Sequence, residues 1–317
     1  MSCPVCLNPV TAPALSGTDL LFESTSKTFT LHWCEACRCL FLHPMPDRAE
    51  IARFYPADYW WNARKSGTLK KLESIYRKFA LRDHIAFITK AAGNRTGLDV
   101  LDVGCGSGTL LGLLKHRGFH TTGVDFSAEA AKIAAIENSV DVAVGSLEDA
   151  HFPDQAFDMV TLFHVMEHVS NPRVVLAEVV RVLKPDGVMI LQVPNIESWQ
   201  FKIFGARWYG LDIPRHLIDY SRNSMLKLLA DSGFVVTRVR HFNLRDNAPA
   251  LVSSVFPSLD PVSRSVRHRK RNIRESRPVE WVRHLAYLLL VTCAYPVVLL
   301  ESAFGRGATV MIEAKKK

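Results

Sequence analysis

The apolar positions of this chain fall into two rhythms that alternate along much of its length. Short apolar runs predict strands at Leu98–Val103, His120–Val124, Asp141–Val144, Phe157–Phe163, Val188–Val193 and Gly233–His241. Helical spacing predicts helices starting at Thr109, over 173–183 and over Arg222–Ser232. A further helix is expected over 69–92, where Leu69, Leu72, Ile75, Phe79, Ile85 and Ile88 recur at helical intervals. Strands alternating with helices predict an α/β fold around a mostly parallel sheet. Near the end, Leu285 to Leu300 forms a sixteen-residue apolar run interrupted by Pro296. That is short of the roughly twenty residues needed to span a bilayer.

The first strand carries the most specific signal. Residues 98–109 read LDVLDVGCGSGT, so the strand stops at Gly104, Gly106 and Gly108 and a helix begins at Thr109. A buried strand, a glycine turn and a helix N-terminus form the place where an α/β sheet receives a nucleotide-like ligand. The glycine order is G-x-G-x-G rather than the G-x-G-x-x-G of dinucleotide binders, and no lysine follows as in a phosphate-binding loop. The second strand ends in Asp125, twenty-one residues beyond Gly104, where a carboxylate can accept from both hydroxyls of a ribose.

At 317 residues, composition is ordinary for a globular protein, so disorder is not the default. Met1 leads straight into SCPVC, so no secretory leader is expected. The net charge of +8 is local. Residues 264–277 hold six arginines and one lysine against one glutamate, leaving +6 in that segment. No aromatic residue interleaves those arginines, which ranks nucleic acid below a membrane surface as their partner. Arginines beside an apolar helix fit peripheral membrane contact through 264–304; a core helix with a solvated basic linker fits equally. The expected location is the cytoplasm, with a peripheral place on the inner face of the membrane as the alternative.

Four of the seven cysteines pair as Cys3-x-x-Cys6 and Cys34-x-x-Cys37 around a β-like stretch with turns at Asn8-Pro9 and Gly17. This is zinc-ribbon spacing: each knuckle supplies two thiolates, and tetrahedral Zn2+ takes all four, leaving a structural role. Cys39, His32 and His43 are nearby and rank below those four. Tyr59-Trp60-Trp61 is read as a domain-interface cluster, with a lid as the alternative.

Residues 95–242 resemble the class I S-adenosylmethionine-dependent methyltransferases, in the branch that reads D-x-G-C-G-x-G, then F-D, E-H-V and R-V-L-K-P-x-G. The matching text here is Asp102–Gly108, Phe157-Asp158, Glu167-His168-Val169 and Arg181–Gly187. The resemblance extends to the ribbon and its His43-Pro44-Met45-Pro46 and Tyr55. It implies a Rossmann-like seven-stranded sheet whose last strand, antiparallel, is Ala308–Ala314, with a small N-terminal ribbon and a helical insertion near the C-terminus. The divisions would then be 1–46, 47–94, 95–242, 243–304 and 305–317. It implies that Gly104, Cys105, Gly106 and Gly108 lie under the methionine moiety of S-adenosyl-L-methionine, with Asp102 toward its amino-acid end. Asp125 and Phe126 would serve the ribose, Ser146 and Leu147 would flank the adenine, and Phe163 and His164 would face the methyl group. Many relatives have aspartate where Ser146 stands, so the adenine amino contact departs from the pattern.

Two motifs need a choice between readings. His164-Val-Met-Glu167-His168 spells the H-x-x-E-H of some metalloproteases, but that chemistry needs both histidines on one helix. Here the letters follow directly on a predicted strand. Residues 207–221, RWYGLDIPRHLIDYS, hold Arg215 and His216 in the connection after the strand ending near Asn195. His216, then His164, is the candidate base for a hydroxyl acceptor, and Arg215 the candidate anchor for an anionic group. The alternative is that Arg215 and His216 only bind loop carbonyls. The function implied is methyl transfer to a small-molecule or lipid-like acceptor, with O-methylation preferred. An RNA methyltransferase gripping its substrate with ribbon and basic run, or a cofactor-binding adaptor without turnover, are the alternatives.

Overall fold

The computed structural model describes residues 1–10, 12–55, 78–273 and 275–317. In chain order its elements begin with β1 (Pro13–Gly17), β2 (Phe29–Trp33), β3 (Leu40–Leu42), α1 (Arg48–Phe54) and α2 (Arg82–Ala91). Then come β4 (Asp99–Val103), α3 (Thr109–Lys115), β5 (His120–Asp125), α4 (Ala128–Asn138), β6 (Asp141–Val144), β7 (Phe157–Phe163) and α5 (Pro172–Val182). The chain continues through β8 (Leu183–Pro194), α6 (Trp199–Phe204), β9 (Ile218–Asp219), α7 (Arg222–Asp231) and β10 (Phe234–Arg240). It finishes with α8 (Asn247–Val255), α9 (Pro261–Lys270), α10 (Arg277–Ala303) and β11 (Thr309–Lys316).

Contacts divide the chain into two units, one of Trp60–Val193, Met225–Val239 and Met311–Lys317. It is built on a seven-stranded mixed sheet in the order β10-β11-β8-β7-β4-β5-β6, the Rossmann-like fold expected. β4 is central and parallel to both neighbours, with Leu101 opposite Thr122 on one side and Val160 on the other. Val100, Leu101, Asp102 and Val103 are all buried, as a strand covered on both faces requires. Ile85 and Ile88 of α2, Leu110 and Leu114 of α3, Met159, Ile190 and Met311 close one core cluster around it. Each such fully buried aliphatic side chain contributes about 1.5–3 kcal/mol. Local chemistry sets the helix starts. Ser127 caps α4 by accepting from Ala130 N–H at 3.1 Å, and Pro172 opens α5 where its missing N–H costs no bond.

The other unit comprises Met1–Tyr59, Pro194–Ser224 and Arg240–Val310. Its sheet runs β1-β2-β3-β9, all antiparallel, with Leu40 opposite Asp219 and Phe41 opposite Ile218. The sequence boundaries therefore differ from the observed grouping. Residues 194–224 join the ribbon because β9 completes its sheet, and residues 240–310 gather with them. Gly17 ends β1 instead of forming a turn. Residues 184–187 lie within β8, which starts at Leu183.

The late apolar run is also longer than it reads. α10 continues through Pro296 for 27 residues. Its Tyr287, Val291, Ala294 and Val298 form a seam at helical spacing against Ala248 and Val252 of α8. Of the helix expected over 69–92, the observed part is α2 with its approach from 78, and 69–77 lie outside the described residues, as do Tyr59, Trp60 and Trp61.

Candidate functional site

The carboxyl ends of β4 and β5 meet at one carboxylate. Asp125, 5 % exposed, accepts from Gly106 N–H at 2.8 Å through Oδ2 and from Ser127 N–H at 2.8 Å through Oδ1. It thus pins the glycine turn to the end of the next strand. Burial pushes its pKa up, and the two backbone donors pull against that rise. Each oxygen keeps a lone pair, so the group can still accept from two ligand hydroxyls.

Gly104 and Gly106 show why this turn is glycine. Both have left-handed φ, 69° and 53°. A Cβ at Gly104 would stand 2.7 Å from Val165 Cγ2, a collision. At Gly106 no described atom lies within 4 Å of the missing Cβ, so the backbone there is open to a ligand. The combination of a bare backbone cradle, a buried carboxylate and the outward ring of Phe126, 67 % exposed, fits S-adenosyl-L-methionine. Gly108 is the left-handed N-cap of α3, and Cys105 Sγ packs where a Cβ on Gly123 would come within 2.5 Å.

Around that cradle the other expected residues take defined places. Asp102 is buried and accepts from Thr161 Oγ1 at 2.6 Å. Ser146 Oγ accepts from Asp149 N–H at 3.0 Å, while Asp149 Oδ2 accepts from Ser146 N–H at 3.2 Å. A carboxylate thus stands three residues after the serine that departs from the family pattern. Leu147 is buried. Phe163 ends β7 with its ring 4.8 Å from that of His84, which is fully buried with Nδ1 3.1 Å from Asp83 Oδ1.

His164 follows with φ of 57°, its Nδ1 2.9 Å from Glu167 Oε1 and its Nε2 2.8 Å from Gln192 Nε2. With Gln192 oriented this way, the lone pair that a base would use receives an amide N–H instead. Met166–His168 is one short 3-10 turn, so the H-x-x-E-H letters do not share a helix.

The expectation that Arg215 holds an acceptor anion needs correction. Arg215 is fully buried, and all five of its N–H donors are engaged inside its own unit. Nε donates to both oxygens of Asp212, Nη1 to Asp19 Oδ2 and the Phe54 carbonyl at 3.0 Å, and Nη2 to Asp19 Oδ1 at 2.8 Å and to Asp212. Its guanidinium also lies 4.4 Å from the Phe22 ring centroid. Arg215 is a bolt between the loop and the ribbon. His216, its neighbour, is 7 % exposed with Nδ1 3.5 Å from Asp219 Oδ1, a carboxylate behind an imidazole.

The four expected thiols also converge. Ligand atoms of Cys3, Cys6, Cys34 and Cys37 all lie within 4.8 Å of one another, with Sγ–Sγ distances of 3.6 Å for Cys3–Cys37 and 3.5 Å for Cys6–Cys34. Tetrahedral zinc with bonds of about 2.3 Å places its sulfurs about 3.8 Å apart, so the cluster fits a structural ion. Cys39 brings a fifth thiol, itself buried, 3.5 Å from Cys3 and from Cys37. His32 and His43 stand edge to face at 5.4 Å and do not belong to the four-thiol group.

Replacing Asp125 by alanine is expected to weaken S-adenosylhomocysteine binding at least about a hundredfold, as two charge-assisted bonds of roughly 1.5–3 kcal/mol are lost. Isothermal titration calorimetry reads this directly. Affinity within a few-fold of the original would remove Asp125 from the site.

Partners missed from sequence are Thr161, Asp149, Glu167, Gln192, Asp219 and His84. Glu167 and Asp219 sat in recognised motifs; the others approach through the fold and leave no local signal.

Comparison with known proteins agrees with this geometry. A family profile described as a methyltransferase domain matches residues 76–239. Ubiquinone biosynthesis O-methyltransferase of Klebsiella pneumoniae is 33 % identical over 189 residues, covering 56 % of this chain and 75 % of its relative. The protein of the same name from Maricaulis maris is 34 % identical over 184 residues, covering 54 % and 72 %. The crystal structure of a putative sarcosine dimethylglycine methyltransferase from Galdieria sulphuraria shares the fold at a TM-score of 0.50 and 16 % identity, over 76 % of this chain and 88 % of that one. With an intact glycine cradle and its carboxylate in register, the chain belongs to the class I S-adenosylmethionine-dependent methyltransferases.

Proposed function

We propose that this enzyme methylates a hydroxyl of a small-molecule or lipid-like acceptor. The similarity to ubiquinone biosynthesis O-methyltransferases over about three quarters of their length carries this reading. The bound sulfonium supplies an already electrophilic methyl group. The chain's own residues therefore have to hold the cofactor, align the acceptor, exclude water and receive one proton.

His216 receives the proton. A neutral imidazole is the common general base near neutral pH, and Asp219 behind Nδ1 orients the ring and steadies the cation that forms. His164, held between Glu167 and Gln192, orients that strand end and does not abstract a proton. Asp125 and the Gly104–Gly108 turn hold the cofactor, with Asp102, Phe126, Leu147 and the Ser146–Asp149 pair around it. Cys3, Cys6, Cys34 and Cys37 hold a structural zinc that takes no part in the transfer. The proposed location is the cytoplasm, where thiols stay reduced and free to hold zinc.

The test supplies methyl-labelled cofactor with three acceptors: a hydroxylated ring carrying a prenyl tail, a hydroxylated sugar and RNA. Label is expected on an oxygen of the ring or the sugar. Label on RNA alone, or on a carbon or nitrogen, would overturn the reading.

A further inference from the structure

Helix α10 has two apolar sides, and among the described residues one of them packs into a core cluster. The inner seam of Tyr287, Val291, Ala294 and Val298 packs on α8. Polar ties fix that orientation. Tyr287 Oη lies 3.1 Å from Ser253 Oγ, and Tyr295 Oη donates to the Leu244 carbonyl at 3.1 Å. Buried Glu301 accepts from Gln200 N–H at 3.1 Å and from Gln200 Nε2 at 3.0 Å. Ser302 Oγ donates to the His241 carbonyl at 3.0 Å. The helix cannot roll to hide its other side without breaking these bonds.

That other side is exposed and apolar from end to end. Val282, Leu285, Leu288, Leu289, Val297 and Leu300 all face outward, with Leu289 64 % and Leu285 59 % exposed. Trp281 and Phe304 mark its two ends, about 35 Å apart at 1.5 Å per residue. From 281 to 304 the only acidic residue is Glu301, which points inward. A patch of this size is far beyond the scattered exposed leucines of an ordinary surface.

Charge identifies the occupant. Arg269, Lys270 and Arg271 are exposed where α9 ends, shortly before α10 begins, within a segment, 264–277, that carries a net charge of +6. A second copy would carry the same net +6 over residues 264–277. Anionic phospholipid head groups supply the negative charge, and the acyl region below takes the apolar stripe. Spanning the bilayer is a different matter, because it would drive Ser253, Asp260 and Glu301 toward hydrocarbon.

We infer that the outward face of α10, with the cationic end of α9, docks in the plane of an anionic lipid surface. This does not depend on which acceptor is methylated, so a negative methylation assay leaves it standing.

Cys293, exposed midway along the stripe, provides the probe. The full-length protein carries an environment-sensitive fluorophore on Cys293, with Cys293→Ser protein treated alike as background. It is mixed with vesicles of phosphatidylcholine, with and without phosphatidylglycerol. The expected result is a blue-shifted label and co-flotation with the phosphatidylglycerol vesicles, weakening as salt rises. Leu285→Asp combined with Leu289→Asp should lower the bound fraction at least about tenfold while the melting temperature holds, both side chains being solvent-facing. Vesicles that leave the label and the flotation unchanged would overturn the inference. So would a lipid-free doubling of mass by light scattering that shields the label, or binding indifferent to phosphatidylglycerol.

Discussion

His216→Ala is expected to lower kcat by about 10²–10⁴-fold with S-adenosylhomocysteine affinity unchanged, the range over which a positioned base accelerates proton transfer. The loss should fall on kcat more than on KM, because a proton leaves in the transition state and not on binding. Added imidazole should restore part of the rate. Asp219→Asn should do less, since the ring remains while the carboxylate 3.5 Å from Nδ1 no longer favours the protonated form. Single-turnover rates with saturating cofactor are the measurement. An alanine variant with full turnover would show that the acceptor gives up its proton elsewhere, as a carbon nucleophile or an already ionised hydroxyl would.

Arg215→Met is expected to destabilise the protein by about 3–5 kcal/mol, the cost of leaving buried charge without its partner. Asp19 and Asp212 would both lose the guanidinium that satisfies them. Lysine should rescue little, because one ammonium cannot reproduce a five-donor fork. If the side chain instead held a substrate anion, the variant would melt normally and raise KM; urea unfolding beside steady-state kinetics separates the two.

The pH dependence gives a second check. Burial alone would raise the Asp19 carboxyl, but the hydrogen bonds and charge of Arg215, with Ser24 and Phe22 N–H, hold it at about 2. The stability this contributes is complete above the unfolded value near 4 and is lost as pH falls through about 2. The gap between wild type and Arg215→Met should therefore narrow over that window.

The parts of the molecule legible in the sequence are those whose physics is local. An apolar run ending at Gly104–Gly108 states its strand, its turn and its helix within twelve residues, and Asp125 falls in register because β5 parallels β4. The two CxxC knuckles announce their geometry by spacing alone. Arg215 misled for the converse reason. Its partners lie up to 196 residues away, and a cation in a loop looks the same whether it meets solvent, substrate or a buried carboxylate. β9 is two residues long, too short to show a period, yet it decides which unit residues 194–224 belong to. Pro296 suggested a break that the flanking apolar turns of α10 override by packing.

The β3–β9 pairing has a consequence for how the protein is made. The ribbon's thiols are translated well before the strand that finishes their sheet and the guanidinium that neutralises Asp19. The ribbon must wait, its sheet edge open, until residues 215–219 have been synthesised. The ribbon is therefore no cassette to be excised or grafted onto another enzyme, and an evolutionary shuffle that moved residues 1–46 alone would deliver an unfinished piece.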